Sequence, residues 1–278
     1  MSILLIGDCL EEMKGLDDNS VDLIFCDLPY GQTSCRWDCK IDLEKFWIEV
    51  MRIKKLNTPI FMTTTTKFGV ELITTAPKKC PFRYDLVWVK SSSAGFLSAK
   101  KMPLRKHELI YVFYEKLPFY DLSSHTHKFI KEGKKSEGDK GNECYGKFKY
   151  YNNGEKGYDP PLPVSVVKED IRKDKHKTAY GNNIHYHNNQ QRNGESIYDP
   201  PLPTTMLEIK STRGKHSTEK PVALMEWILK YYSKEGDVVL DPTMGSGSTG
   251  VACKNMNRNF IGIELDPEIY EVAVNRID

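Results

Sequence analysis

The segment Val21–Gly31 limits the fold more than any other part of the chain, because an apolar run of strand length stops abruptly in polar and turn-forming residues. The mostly apolar residues 21–26 are followed by Asp27, Leu28, Pro29 and Tyr30. Pro29 with Gly31 ends a strand and fixes the backbone beyond it. In an open α/β sheet, ligands bind at the carboxyl ends of the strands. The sequence therefore predicts a buried strand that delivers Asp27 to a ligand-binding edge.

The groups at this strand end suit an exocyclic amino group on a planar base. Asp27 offers a carboxylate and Leu28 a carbonyl, and Pro29 has no N–H that could compete for that carbonyl. Two hydrogen bonds accepted from the amine would push its nitrogen, whose lone pair is delocalised into the heterocycle, towards tetrahedral geometry. The Tyr30 ring would stack on the face of the base. A strand-ending acid before a turn proline also occurs without such a function, so the rest of the chain has to decide.

A second strand, turn and helix pattern lies near the end of the sequence. A strand at residues 238–241 leads into a glycine-rich turn that carries the candidate ligand-binding residues Asp241, Pro242, Gly245, Ser246, Gly247 and Thr249. Gly245 and Gly247 let the backbone approach a ligand, and the free amides of a helix N-terminus favour an anion. The next strand, Phe260–Ile263, ends in Glu264, an acid placed to bind ribose hydroxyls.

The order and identity of these motifs resemble the amino-methyltransferases of DNA. The catalytic tetrapeptide of that family is Asp, Asn or Ser, then a variable residue, Pro and an aromatic residue, and Asp27–Tyr30 fits it, with Leu28 where Pro is commoner. The segment from Trp88 to Glu108 resembles the same segment of bacterial and phage adenine methyltransferases. His216-Ser217-Thr218-Glu219-Lys220-Pro221 resembles the family motif His-x-Thr-x-Lys-Pro.

The resemblance implies S-adenosylmethionine as cofactor and double-stranded DNA as partner. The carboxylate of S-adenosylmethionine would face the glycine turn, and Asp8 would face the adenine of the cofactor. The methionine end of the cofactor would lie along His216, Thr218, Lys220 and Pro221. Asp8 also suits a helix N-cap after the strand Ile3–Gly7. The target base would have to leave the duplex. Asp at the first tetrapeptide position favours adenine N6, with cytosine N4 as the alternative.

The resemblance covers residues 2–115 and 214–278, so we expect those segments to form one doubly wound, Rossmann-like α/β methyltransferase sheet. The catalytic strand precedes the cofactor turn, which is the circularly permuted β arrangement of the family. Residues 116–213 would be an inserted target-recognition region. They contain a two-copy repeat, in which Tyr158–Pro163 recurs at Tyr198–Pro203.

Charge and composition narrow the functional classes. Residues 116–220 hold 19 Lys and Arg against 14 Asp and Glu, which suits a polyanion, although solvated loops give the same balance. No apolar run approaches membrane-spanning length, and the seven cysteines form no CxxC pair, so we expect a cytoplasmic protein without a metal. The sequence leaves open a homodimer and a cognate restriction endonuclease.

Two rival functions remain at this point. An RNA or small-molecule methyltransferase would share the core, but the long basic insert disfavours it. A DNA-binding protein that has lost catalysis is disfavoured because Asp27, Tyr30, Asp241, Gly245 and Glu264 are all present.

Overall fold

The structure, a computed structural model, describes residues 1–31, 39–124 and 219–278, together with five two-residue strands between positions 126 and 196. The chain divides into two compact units, Met1–Tyr120 with Ser165–Asp278, and Asp121–Val164. The larger unit contains the main sheet and the six described α-helices. Within the described ranges, none of the helices has the length and apolar character that a membrane span requires.

The described strands are β1 (Ser2–Ile6), β2 (Leu23–Cys26), β3 (Ile60–Thr64), β4 (Phe82–Ala94), β5 (Arg105–Phe113), β6 (Thr126–His127), β7 (Tyr158–Asp159), β8 (Val166–Val167), β9 (Gln191–Arg192), β10 (Glu195–Ser196), β11 (Val238–Asp241) and β12 (Asn259–Glu264). The described α-helices are α1 (Cys9–Glu12), α2 (Leu43–Ile53), α3 (Thr66–Thr75), α4 (Val222–Tyr232), α5 (Ser248–Asn255) and α6 (Pro267–Ile277). Short 3-10 helices span Met13–Gly15 and Phe96–Ser98.

The main sheet has the strand order β1-β12-β11-β2-β3-β5-β4-β8. The strands from β1 to β3 in that order are all parallel, whereas β5 runs antiparallel to both of its neighbours, β3 and β4. The two-residue β8 pairs in parallel with β4. Because β11 and β12 lie between β1 and β2, the last third of the chain supplies the second and third strands of the sheet, next to its β1 edge.

Helices cover both faces of this sheet. In β3, Ile60 and Met62 belong to the same core cluster as the buried side chains of α2, whereas the Phe61 ring contacts Tyr232 of α4 with a centroid distance of 5.0 Å. Successive strand residues point to opposite faces, so α2 and α4 pack on opposite sides. Helices α1 and α3 both contact α2, and α5 contacts both α4 and α6. The predicted doubly wound α/β sheet is confirmed.

The hairpin of β4 and β5 corrects one sequence prediction. The Ser, Gly and Lys content of residues 90–107 predicts a loop outside the core, but both strands extend into it and Ala94 pairs with Arg105. Ala99 and Leu104 are buried. A register shift between Val89 and Ala94 lets β4 continue past its apolar part, so cross-strand pairing overrides the local composition.

The last helix packs beside the first strand. The Tyr270 hydroxyl of α6 donates a hydrogen bond to the carbonyl oxygen of Leu4 at 3.2 Å. The order of the motifs predicts a circular permutation, and such a rearrangement requires this proximity. The permutation itself stays a prediction.

Candidate active site

The acids that the sequence places at strand ends lie at one edge of the sheet. Asp27 directly follows β2, Asp241 is the last residue of β11, Glu264 is the last residue of β12, and Asp8 follows β1 by two residues. These four strands are parallel and adjacent, so their carboxyl ends meet. The fold therefore brings together residues that are up to 256 positions apart in the sequence numbering.

Asp27 is held by three side chains from different parts of the chain. Its Oδ2 accepts a hydrogen bond from Lys220 Nζ at 2.5 Å, and its Oδ1 accepts from the Thr63 hydroxyl and from the Tyr30 hydroxyl, the latter at 3.3 Å. The Asp27 side chain keeps 28% of its surface exposed, whereas Leu28 beside it is buried. The carboxylate is thus fixed in direction and still reachable from solvent.

The Tyr30 hydroxyl lies between two carboxylates. It is 3.3 Å from Asp27 Oδ1 and 3.2 Å from Glu108 Oε1, and with one proton it can donate to only one of them at a time. Burial, together with the charges of Asp27 and Glu108, raises the pKa of Tyr30, so the hydroxyl stays protonated. The centroid of the Tyr30 ring lies 5.2 Å from the centroid of the Phe68 ring. The sequence predicts a role for the ring alone and misses the hydroxyl contacts.

Glu108 connects Tyr30 to two lysines. Its Oε1 lies 3.2 Å from Lys220 Nζ, and its Oε2 lies 2.5 Å from Lys90 Nζ. Burial alone would raise the pKa of Glu108, but the two ammonium groups outweigh it and hold that pKa well below its usual range. Burial alone would lower the pKa of Lys220, but the carboxylates of Asp27 and Glu108 outweigh it and raise that pKa above its usual range. The side chains of Lys90, Glu108, Lys220 and Asp27 thus form a continuous line of alternating charge.

Sequence reasoning does not assign a function to Glu108 or Lys90. A signal is nevertheless present, because Glu108 directly precedes the apolar residues Leu109 and Ile110, in the part of the sequence that predicts a strand. A carboxylate in such a strand is expected to be paired. The identity of its partners depends on the fold, since Lys220 comes from the segment before α4.

Asp241 forms the buried floor of the neighbouring half of the site. Its Oδ2 accepts from the Thr249 hydroxyl at 2.6 Å, and its Oδ1 accepts from the Thr243 amide at 3.1 Å. Burial raises the pKa of Asp241 to about 7; the two hydrogen bonds oppose this, and the charges of Asp27 and Glu264 add to it. Asp241 and Thr249, both predicted from the glycine-rich motif, are therefore in direct contact.

The glycine turn has the backbone geometry that the sequence predicts. Gly245 and Gly247 have φ values of 53° and 83°, which glycine adopts without strain. The Gly245 amide donates to Glu264 Oε2 at 2.9 Å, and the Asp266 amide donates to Glu264 Oε1 at 2.9 Å. The Gly245 amide, which the sequence predicts to meet an anion, is thus bonded to the Glu264 carboxylate, which the sequence predicts to meet a ribose.

An arginine that sequence reasoning misses supports this turn. Arg276 of α6 donates through one terminal nitrogen to the carbonyl and hydroxyl of Ser246, both at 2.9 Å. Its other terminal nitrogen donates to Glu219 Oε1 at 2.6 Å, and the Ser248 hydroxyl donates to the same oxygen at 3.3 Å. Arg276 therefore joins the glycine turn to the segment that carries Lys220.

The remaining predicted residues fall into three groups. Asp8 is the N-cap of α1, where its Oδ1 accepts from the Leu10 amide at 2.8 Å, and Pro221 is the N-cap of α4. Lys220, which the resemblance assigns to the methionine end of the cofactor, contacts Asp27. His216 and Thr218 lie outside the described residues.

Asp241→Asn should stabilise the free protein, and more at high pH than at low pH. In the folded state the pKa is about 7, against 3.8 as the ordinary value, so folding retains a proton between those pH values and stability falls as pH rises across that window. Asparagine removes this penalty, which is roughly 1–4 kcal/mol above pH 7. Thermal unfolding of both proteins from pH 4 to 8 measures it. Asp85→Asn, at an exposed site on β4, is the control, and a constant difference in unfolding temperature across that range would contradict the prediction.

A protein-family model described as "DNA methylase" (N6_N4_Mtase) matches residues 21–275. The chain is 48% identical over 61 residues to "Type II methyltransferase M.HpaI" from Haemophilus parainfluenzae, which covers 22% of this chain and 19% of that protein. It is 46% identical over 61 residues to "Type II methyltransferase M2.DpnII" from Streptococcus pneumoniae, covering 22% of this chain and 23% of that protein. The matches thus span about a fifth of each relative's length.

Solved structures share the fold at low sequence identity. The structure titled "crystal structure of M1.HpyAVI-SAM complex" has a TM-score of 0.57 and 20% identity, with both chains covered completely. "PVUII DNA METHYLTRANSFERASE (CYTOSINE-N4-SPECIFIC)" has a TM-score of 0.58 and 14% identity, with 100% of this chain and 86% of that chain covered. At these identities the comparison establishes the architecture of the sheet and its helices.

Proposed function

We propose that this chain, which belongs to the DNA methylase family N6_N4_Mtase, transfers a methyl group from S-adenosylmethionine to an exocyclic amine of a base in duplex DNA. The observation that carries the proposal is the adjacency of two half-sites. β2, which ends before Asp27, pairs directly with β11, which ends at Asp241. An amine held at Asp27 and a cofactor held at the glycine turn would therefore meet over neighbouring strand ends.

The residues of the glycine turn fit the cofactor. The space in front of Gly245 is open, since a Cβ placed there would have no atom within 4 Å. Glu264 offers a carboxylate for ribose hydroxyls and Asp241 a buried polar floor, and Gly245 and Gly247, both with positive φ, form a tight turn. When bound, S-adenosylmethionine supplies an activated methyl group. The residues of this chain bind and orient it.

The amine is the nucleophile, and Asp27 and the Leu28 carbonyl orient it. Each accepts one hydrogen bond from the amine, which directs the nitrogen lone pair at the methyl carbon, while the Tyr30 ring covers the base. The amine nitrogen forms the new bond to carbon, the electron pair of the broken carbon–sulfur bond stays on sulfur, and the nitrogen gives up one proton to water. Positioning of this kind supplies most of the rate. The Thr63 and Lys220 contacts keep Asp27 in one orientation.

We assign adenine N6 as the acceptor, because Asp27 stands where the resembled family usually carries Asp with adenine and Ser with cytosine N4. The physics of the pocket does not decide it, since both bases present a conjugated amine with two donors. Cytosine N4 remains the second candidate, and a solved structure of the same fold is titled as cytosine-N4-specific.

The substrate sets the other partners that we propose. A base in duplex DNA has to be flipped out to reach Asp27, at a cost of roughly a few kcal/mol. Residues 116–213, with their repeat and positive charge, would form the target-recognition insert beside a catalytic domain of residues 1–115 and 214–278. A cytoplasmic location, a homodimer and a cognate restriction endonuclease are consistent with such an enzyme.

The test is expression in a host that lacks DNA methylation, followed by nucleoside analysis and sequencing that maps modified bases. We expect N6-methyladenine at a defined sequence, and none when Asp27→Ala is expressed at the same level. N4-methylcytosine alone would overturn the adenine assignment and leave the rest standing. Unmodified DNA together with methylated RNA or small molecules would overturn the DNA substrate.

A further inference from the structure

We infer that Glu108 is a positioning residue for methyl transfer, which acts through Lys220: it balances the charge of Lys220, so that Lys220 can hold Asp27 without cancelling the negative charge that Asp27 presents to the amine. The inference rests on the proposed function. It concerns a residue of β5 that touches neither reacting group in the mechanism above.

The contacts place Lys220 between two carboxylates. Lys220 Nζ lies 2.5 Å from Asp27 Oδ2 and 3.2 Å from Glu108 Oε1, and its side chain is only 12% exposed. Glu108 is similarly enclosed, with 10% of its side chain exposed. At such burial, water screens the three charges weakly, so each is felt strongly by the others. Lys220 thus fixes Asp27, and Glu108 determines what net charge the group carries.

The net charge matters because of where charge moves in the reaction. As the methyl group is transferred, positive charge leaves sulfur and develops on the amine nitrogen. Asp27, Lys220 and Glu108 together carry one negative charge, which stabilises that development. Without Glu108, Asp27 and Lys220 form a neutral pair, and the stabilisation is lost even though Asp27 remains in place.

Lys90 is a second cation on Glu108, and its charge has to be counted. Its ammonium lies 2.5 Å from Glu108 Oε2 and 4.9 Å from the centre of the Trp88 ring. The Lys90 side chain is 28% exposed, the same fraction as that of Asp27, so water screens the two charges equally. With Lys90 included the four side chains are neutral, and loss of Glu108 leaves a net positive charge beside the amine. The loss of Glu108 therefore makes the site less favourable for positive charge on the amine nitrogen whether or not Lys90 is counted.

A purely structural role for Glu108 is the competing explanation, and double substitution separates the two. If Glu108 only supports the packing of Lys220, Glu108→Gln should cause no further loss once Lys220 is methionine, and the double variant should react at the rate of Lys220→Met, no faster than Glu108→Gln alone. If charge balance is the cause, removing both charges restores one negative charge at Asp27. The double variant should then react faster than Glu108→Gln alone.

The pH dependence gives a second readout. The charged and titratable groups that face Glu108 are Lys90 from β4, Lys220 from the segment before α4, and Asp27 and Tyr30 from the loop after β2. Lys220 and Lys90 hold the pKa of Glu108 down. Lys220→Met removes one of them, so the pKa of Glu108 rises and the acid limb of the rate profile moves to higher pH. Glu108→Gln in the same background should abolish that displacement.

The experiment is single-turnover methyl transfer with saturating S-adenosylmethionine and the DNA site mapped beforehand. Glu108→Gln should slow the transfer step by roughly tenfold to a hundredfold while changing the Kd for S-adenosylmethionine less than twofold. Glu115→Gln is the matched control, because Glu115 Oε2 pairs with Lys54 Nζ at 2.9 Å and Lys54 is 2% exposed. That pair neighbours the start of β2, away from the site. The control should lose stability without loss of transfer rate.

Three results would overturn the inference: a wild-type transfer rate in Glu108→Gln, a double variant that is no faster than Glu108→Gln alone, or an equal rate loss in Glu115→Gln. Failure of the proposed function looks different. In that case Asp27→Ala would keep its activity, or no DNA methylation would be found with the wild-type chain. Inactive Asp27→Ala beside fully active Glu108→Gln would remove the role of Glu108 alone.

Discussion

Asp27→Ala is expected to abolish methyl transfer and to leave the binding of S-adenosylmethionine nearly intact. The substitution removes an acceptor that orients the amine, and with it the negative charge nearest to the nitrogen. Loss of one such preorganised electrostatic contact costs about 10²–10³ in rate, and loss of the alignment adds to that. The proposed cofactor contacts lie on Asp241, Glu264 and the glycine turn, which Asp27 does not touch in the described hydrogen bonds.

Two measurements on the purified variant check this expectation. Calorimetric titration gives the Kd for S-adenosylmethionine, and transfer of a labelled methyl group to DNA gives the rate. Asp27→Asn is the control for folding, because it keeps a side chain of the same shape beside Lys220 and an oxygen that can still accept a hydrogen bond. Near-normal turnover in Asp27→Ala would remove the central role of Asp27.

The elements that carry the site could be predicted where the signal is local. An apolar run that ends in an acid marks β2, β11 and β12, and each acid lies at the expected strand end. The residues after Pro221 predict a helix Val222–Tyr232, which matches α4. The threonine run predicts a short helix capped by Thr65 or Thr66, and Thr65 is the N-cap of α3, accepting from the Phe68 amide at 3.3 Å. Such features depend on a few neighbouring residues.

The contacts within the site could not be predicted, because they join distant segments. Lys220 and Asp27 are 193 positions apart, and the resemblance assigns Lys220 to the cofactor instead. Glu108 reaches the site only because β5 pairs antiparallel to β3, whose Thr63 also contacts Asp27. Composition likewise fails for residues 90–107, where strand pairing decides the structure. Long-range pairing leaves no periodic pattern in the sequence.

The same limit explains the position of Glu264. Its place at the end of β12 follows from the sequence, and so does the turn around Gly245. That the two would bond to each other follows only from the parallel pairing of β11 with β12, which brings the turn after one strand beside the last residue of the other. Cofactor binding must therefore share or replace the hydrogen bond from the Gly245 amide to Glu264.

Glu264→Ala is expected to weaken S-adenosylmethionine binding by roughly 10²–10⁴-fold, the second large effect. Two hydrogen bonds from ribose hydroxyls to a carboxylate contribute about 1.5–3 kcal/mol each, and alanine removes both. The free protein should lose only about 0.5–1.5 kcal/mol of stability. The Gly245 and Asp266 amides, which donate to Glu264 in the wild type, can form hydrogen bonds with water instead. Titration calorimetry and thermal unfolding measure the two effects separately.

Glu264→Gln and Glu268→Ala complete that experiment. Glutamine keeps one acceptor and should lie between the wild type and alanine, whereas Glu268 is exposed in the first turn of α6 and its replacement should leave the Kd unchanged. Wild-type affinity in Glu264→Ala would remove the ribose assignment. It would leave the fold and the role of Asp27 intact, because Asp27 directly follows β2 and accepts its hydrogen bonds from Thr63, Tyr30 and Lys220 rather than from the glycine turn.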